Sequence, residues 1–115
     1  MSFEGDLKAL YGAIEEAVAP VSSYHAGLAV TLAVAIDNPA TAQLTYNSPE
    51  WWGGAGSMAD LLVQEEQQPH YLRLLSELVR TFEAAGFHSV RAVRWAELFE
   101  EWLRTDVCNQ VRKAQ

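Results

Sequence analysis

Residues 27–36 read Gly-Leu-Ala-Val-Thr-Leu-Ala-Val-Ala-Ile, the longest apolar stretch of the chain. Leu28, Val30, Leu32, Val34 and Ile36 alternate with Ala29, Thr31, Ala33 and Ala35. Strict alternation is the period of a strand, whose successive side chains point to opposite faces. The stretch is about half of the roughly 20 residues that a membrane-spanning helix needs, so it predicts a strand over 28–36 and no membrane span. Its large residues would fill a core. A face of Ala and Thr is too small and apolar for open solvent and requires a helix or another backbone close against it, which places the strand in the middle of a sheet.

The neighbouring segments extend this reading. Asp37-Asn38-Pro39 supplies turn residues, and Ala42, Leu44 and Tyr46 then alternate with Gln43, Thr45 and Asn47, predicting a second, half-exposed strand and an antiparallel hairpin. Upstream, Phe3, Leu7, Leu10, Ile14 and Val18 recur at spacings of three and four between Ser2, a cap residue, and Pro20, a stop; Glu4 and Asp6 suit a first turn, and a helix over 3–19 follows. Ser57-x-x-Asp60, with Met58, Leu61 and Leu62 behind it, predicts a helix over 57–66 that Pro69 restarts or kinks. A stronger helix over 69–85 carries Leu72, Leu75, Val79 and Phe82 on one stripe and has Gly86 at the position after its cap. Val90 and Val93 fall off the stripe formed by Trp95, Leu98, Phe99, Trp102 and Leu103, so the phase break near Arg94 predicts a short third strand over 88–93 and a last helix over 95–105. Residues 109–115 are expected to fray. The element order is α-β-β-α-α-β-α, an α+β fold in which a small antiparallel sheet is covered by about four helices.

With 115 residues, half of them hydrophobic and a fifth charged, one globular domain over 1–115 is expected. The lone cysteine, Cys108, suits a reducing compartment, and the first ten residues carry Glu4 and Asp6 and lack the basic and apolar regions of a signal peptide. A cytoplasmic location follows as an expectation. The net charge of −7 is uneven: residues 1–66 hold nine acids and one base, Lys8, while the remaining 49 hold seven bases and six acids. Such a chain lacks the basic footprint that phosphate neutralisation requires, which argues against nucleic acid. The acidic half is read either as a solvated surface or as a face that steers a basic partner.

Motifs for chemistry are few. Gly54-Ala55-Gly56-Ser57-Met58-Ala59 matches G-x-G-x-x-A, but a dinucleotide site needs that motif on a strand end inside a parallel βαβ unit, and here an antiparallel hairpin and Pro49-Glu50-Trp51-Trp52 precede it. His25, His70 and His88 have no metal-ligand spacing. Cys108 has no neighbouring histidine or Gly-rich elbow and is read as a spectator thiol. Glu15-Glu16, Glu65-Glu66 and Glu100-Glu101 diverge by about 100° on a helix and are read as solvated faces, not acid and base pairs. No catalytic residue, metal or cofactor is therefore expected.

Glu50-Trp51-Trp52-Gly53-Gly54 stands apart. On an extended backbone the two indoles point to opposite sides, leaving one buried and one exposed as an anchor for a partner; the alternative packs both over the end of the sheet. Trp95 and Trp102 are read as core. Glu50, Trp51, Trp52, Asp60, Glu65 and Glu66 form the candidate partner-binding set. Three classes of function remain, in this order. The first is a small acidic protein-binding module that docks a basic protein partner, as immunity proteins do against toxins, a comparison of size and charge only. The second is a homo-oligomeric structural or regulatory subunit, a homodimer in its simplest form. The third is a small enzyme or ligand-binding domain in which the Gly-rich loop and a histidine converge in a pocket.

Overall fold

The computed structural model describes residues 3–105, so Cys108, the Ser2 cap and the fraying expected at 109–115 lie outside the described residues. Among those residues the regular secondary structure is all helical and there is no strand, which overturns the α+β expectation. The elements are α1 (Phe3–Val18), α2 (Ser23–Ala35), α3 (Pro39–Tyr46), the single turn α4 (Pro49–Trp52), a 3-10 turn (Glu65–Gln67), α5 (Gln68–Ala84) and α6 (Val90–Thr105). None is long and apolar enough to cross a membrane.

Where the sequence has a clean stripe, the expected helix forms. Leu7, Tyr11, Ile14 and Val18 are the buried face of α1. Tyr71, Leu72, Leu75, Leu78, Val79 and Phe82 make α5 the centre of the core. The end of α5 is set by Gly86, whose φ of 94° suits a residue without a side chain. The Gly86 amide donates to the Glu83 carbonyl and the Phe87 amide to the Phe82 carbonyl, both at 3.0 Å. With the Phe82 and Phe87 rings 5.1 Å apart, this is the Schellman arrangement together with its hydrophobic contact.

The predicted hairpin is instead two helices, and the reason lies in the apolar run itself. A segment apolar at every position satisfies a period of two and a period of 3.6 equally, so alternation of large and small residues does not separate strand from helix. Local signals then decide. Ser22 sits at φ −161° and ψ 111° and its Oγ accepts from the His25 amide, an N-cap that starts α2. Frequent alanine favours the helix further. Of the large residues assigned to the strand's inner face, Leu32 and Ile36 are buried while Val30 and Val34 point outward. Asn38, read as a hairpin turn, caps α3: its Oδ1 accepts from the Ala40 and Thr41 amides at 3.1 and 3.2 Å, with Pro39 at the first helical position.

Two further expectations fail locally. Residues 57–66 form no α-helix, because the Met58 and Ala59 amides donate back to the Glu50 and Trp51 carbonyls at 2.9 Å. Buried Gln68 then serves the irregular backbone that follows, accepting from the Val63 amide at 2.8 Å. Residues 88–93 are no strand: Ser89 Oγ accepts from the Ala92 amide, starting α6 at Val90. The residues that break the phase are accommodated by exposure, Val90 in solvent and Val93 half-buried. The side of α6 that enters the core is Ala92, Ala96 and Phe99, with Trp95 and Trp102 packed at its edge.

The helices assemble around α5. Phe3 at the start of α1 lies 5.8 Å from Phe82, edge to face, and 5.7 Å from Phe87, stacked. Tyr46 at the end of α3 stacks on Phe82 at 4.2 Å, and burial first, then its hydrogen bond to Glu83, pushes its phenol well above the usual range. Asn47 and Gln43 tie α3 to the connection between α5 and α6 through Ser89 Oγ at 2.6 Å and the His88 backbone.

Across α5 and α6, Arg80 donates from Nε and Nη2 to both oxygens of Glu100, at 3.0 and 2.7 Å, and Ser76 Oγ donates to the same carboxylate at 2.8 Å. The Arg80 hydrogen bonds, opposed by partial desolvation and aided by Ser76 and the Arg80 charge, hold the Glu100 carboxyl below its usual range. A carboxylate depressed in the folded state stabilises above its unfolded value, about 4.3, and loses that contribution as pH falls through the lower folded value. Both side chains are nearly half in solvent, so the gain is at most about 1 kcal/mol. Urea titration of the parent and Glu100→Gln should show the parent more stable at about pH 7 and the two converging as the pH falls below the ordinary carboxylate range. A gap that persists in acid would mean the ion pair contributes nothing through its charge.

Candidate binding surface on helices α2, α3 and α4

The six candidate residues of the sequence do not form one site. Trp51 and Trp52 are only 1% and 2% exposed, which corrects the expectation that one indole faces solvent. The backbone there is a helical turn, not an extended strand, so the side chains diverge by about 100° and both enter the core. Trp52 Nε1 donates to the Tyr46 carbonyl at 2.5 Å, and its own carbonyl accepts from Trp95 Nε1 at 3.0 Å. Packing of both indoles was the alternative reading, though helices take the place of the sheet. Glu50 is exposed on α4, while Asp60, Glu65 and Glu66 are exposed on the segment leading into α5.

The Gly-rich loop has a positioning role. Gly56, with φ +83°, presents its carbonyl to His25 Nε2 at 2.9 Å. A carbonyl can only accept, so Nε2 carries the proton, and in the neutral ring Nδ1 accepts from Ser22 Oγ at 2.6 Å. His25 thus clasps the loop to the start of α2. Its ring also meets the Tyr24 ring edge to face at 5.2 Å. No helix starts at Ser57, so the phosphate-binding geometry that G-x-G-x-x-A would need is not built. The three histidines do not converge: His70 is exposed at the start of α5, and His88 lies 3.7 Å from Glu83. Among the described residues no three His, Cys, Asp or Glu side chains group to hold a metal ion.

What the structure does bring together is a shallow groove of about 380 Å³ lined by Tyr24, Leu28 and Thr31 of α2, Leu44 and Thr45 of α3, and Ser48, Glu50 and Trp51. Glu50 and Trp51 are the two sequence candidates in it. Beyond the groove the same face of α2 continues, since Tyr24, Gly27, Thr31 and Val34 follow helical spacing. Tyr24 is 61%, Val34 70% and Leu44 75% exposed. Within residues 17–59 the charged residues are Asp37 and Glu50, both acidic and both exposed. Leu44 and Val34 were missed because the hairpin reading placed them inside. The signal that could have found them is a helix without a charged face, whose apolar outer side the other described residues leave in solvent.

No protein-family model, curated protein or solved structure matches the chain.

Proposed function

We propose that the protein is a protein-binding module whose contact surface is the uncharged outer face of α2 and α3, and that its partner is a basic protein. The observation that carries this reading is α2 itself. Its 13 residues include no Asp, Glu, Lys or Arg, and it leaves Tyr24 and Val34 in solvent, Tyr24 lining one groove with the exposed Leu44 of α3. Contiguous exposed apolar surface of this kind marks interaction sites, and covering a Val or Leu side chain is worth about 1.5–3 kcal/mol. Asp37 and Glu50 at the rim and the net charge of −7 favour a partner of opposite sign and hasten its approach. Inhibition follows where the face covers the surface with which that partner works.

The test is a photo-crosslinking residue placed at Val34, with adducts formed in the native host and identified by mass spectrometry. We expect an adduct with a basic protein, its yield falling at least about tenfold when Leu44→Asp removes one apolar contact and adds repulsion. Unchanged circular dichroism would show that the variant is folded. Adducts of the chain only with itself, or a yield indifferent to Leu44→Asp, would sink the reading; the first of these outcomes would establish the homo-oligomer instead.

A further inference from the structure

We propose that the groove between α2, α3 and α4 seats one arginine side chain of the partner, with its guanidinium on Glu50 and its methylene stem along Leu28 and Leu44. This rests on the reading of α2 and α3 as a docking face and names the anchor within it. A groove of about 380 Å³ lies near the small end of ligand sites, suited to one long side chain and too small for a whole helix.

The lining chemistry selects the occupant. It offers apolar walls from Leu28 and Leu44, hydroxyls from Thr31, Thr45 and Ser48, the Glu50 carboxylate, and the exposed Tyr24 ring. Thr31 Oγ1 already donates to the Gly27 carbonyl at 2.9 Å, so toward a ligand it acts as an acceptor. No Lys or Arg belongs to the lining, and none among the described residues forms an ion pair with Glu50. An acceptor-rich, acidic groove with apolar sides fits a ligand that carries donors only, on an aliphatic stem. Arginine presents five such donors in a planar fork that can engage both carboxylate oxygens and also stack on a tyrosine ring. Lysine would supply a point charge with no such plane.

The walls are set before any ligand arrives. Tyr24 rests against His25, which Ser22 and Gly56 hold. The backbone that carries Glu50 and Trp51 is fixed by the Met58 and Ala59 amides, which donate to their carbonyls. Both sides of the groove are therefore tied to the stretch from Gly56 to Ala59, which lowers the ordering cost of binding. Trp51 lines the groove while its buried indole Nε1 has no hydrogen-bond partner, so its N–H resonance reports on whatever enters.

The experiment is a nuclear magnetic resonance titration of the full chain with Nα-acetyl-arginine amide, beside the neutral citrulline analogue of the same shape. Expected are shifts at the Leu28 and Leu44 methyls and the Trp51 indole N–H, with a dissociation constant on the order of 1–10 mM. The citrulline analogue and Glu50→Gln should each weaken binding at least about tenfold, and Tyr24→Ala by a smaller factor. Equal shifts with citrulline, shifts confined to other surfaces, or none at tens of millimolar would overturn the anchor. If the probe fails while crosslinking at Val34 still depends on Leu44, the docking face stands and the arginine falls. If both fail, the face falls with it.

Discussion

Trp52→Ala is expected to lower stability by about 3–5 kcal/mol, a large part of the 5–15 kcal/mol that holds a domain of this size together. The indole is 2% exposed and lies between Tyr46, 6.2 Å away edge to face, and Trp51 at 5.9 Å. Truncation opens a cavity and also leaves the Tyr46 carbonyl without its donor. Trp52→Phe keeps most of the volume but loses the donor, so it should cost about 1–3 kcal/mol. Thermal unfolding separates the two, at roughly 4 °C per kcal/mol. A Trp52→Ala protein that melts within a few degrees of the parent would show that the side chain is not core.

Gly53→Ala is expected to cost about 1–3 kcal/mol or more from the addition of a single methyl group. A Cβ at that position would lie 2.5 Å from the Pro49 carbonyl oxygen and 3.0 Å from the Pro49 Cα and Cβ. Relief by movement is blocked, because the Gly53 amide donates to that same carbonyl at 2.8 Å and closes the turn of α4. Gly12→Ala, in open space within α1, is the control of opposite sign and should stabilise by about 0.5–1 kcal/mol. Equal melting temperatures for Gly53→Ala and the parent would mean that the turn readjusts freely.

The parts of the fold legible in the sequence are those where polar residues mark the outside of a helix. Leu7, Ile14 and Val18 in α1, and Leu72, Leu75, Val79 and Phe82 in α5, are separated by charged or polar positions, so their period is unambiguous, and Gly86 ends α5 as expected. α2 has no such contrast. Where charged positions are absent and apolar ones dominate, the hydrophobic pattern carries little phase, and the outcome rests on a serine and an asparagine whose capping role resembles turn chemistry. The same ambiguity hid the candidate surface. Val34 and Leu44 belong to a core if the segment is a hairpin and to an outer face if it is two helices. Glu50 and Trp51 were found through the unusual loop, although the burial of Trp51 gives it a role in the wall and floor of the groove in place of a free anchor.

The middle of the chain is joined by side chains more than by repeating backbone bonds: Trp52 to the Tyr46 carbonyl, Tyr71 to the Met58 carbonyl, Gln68 to the Val63 amide, His25 to the Gly56 carbonyl. Each of these bonds needs one particular side chain at one particular reach, whereas the leucines and valines of α1 and α5 can exchange among themselves with little loss. Drift over generations would therefore rewrite the long helices quickly and the junction slowly. A descendant of this chain would be recognised by its tryptophans, tyrosines, glutamine and glycines between residues 46 and 71, long after the rest of its sequence had ceased to resemble it.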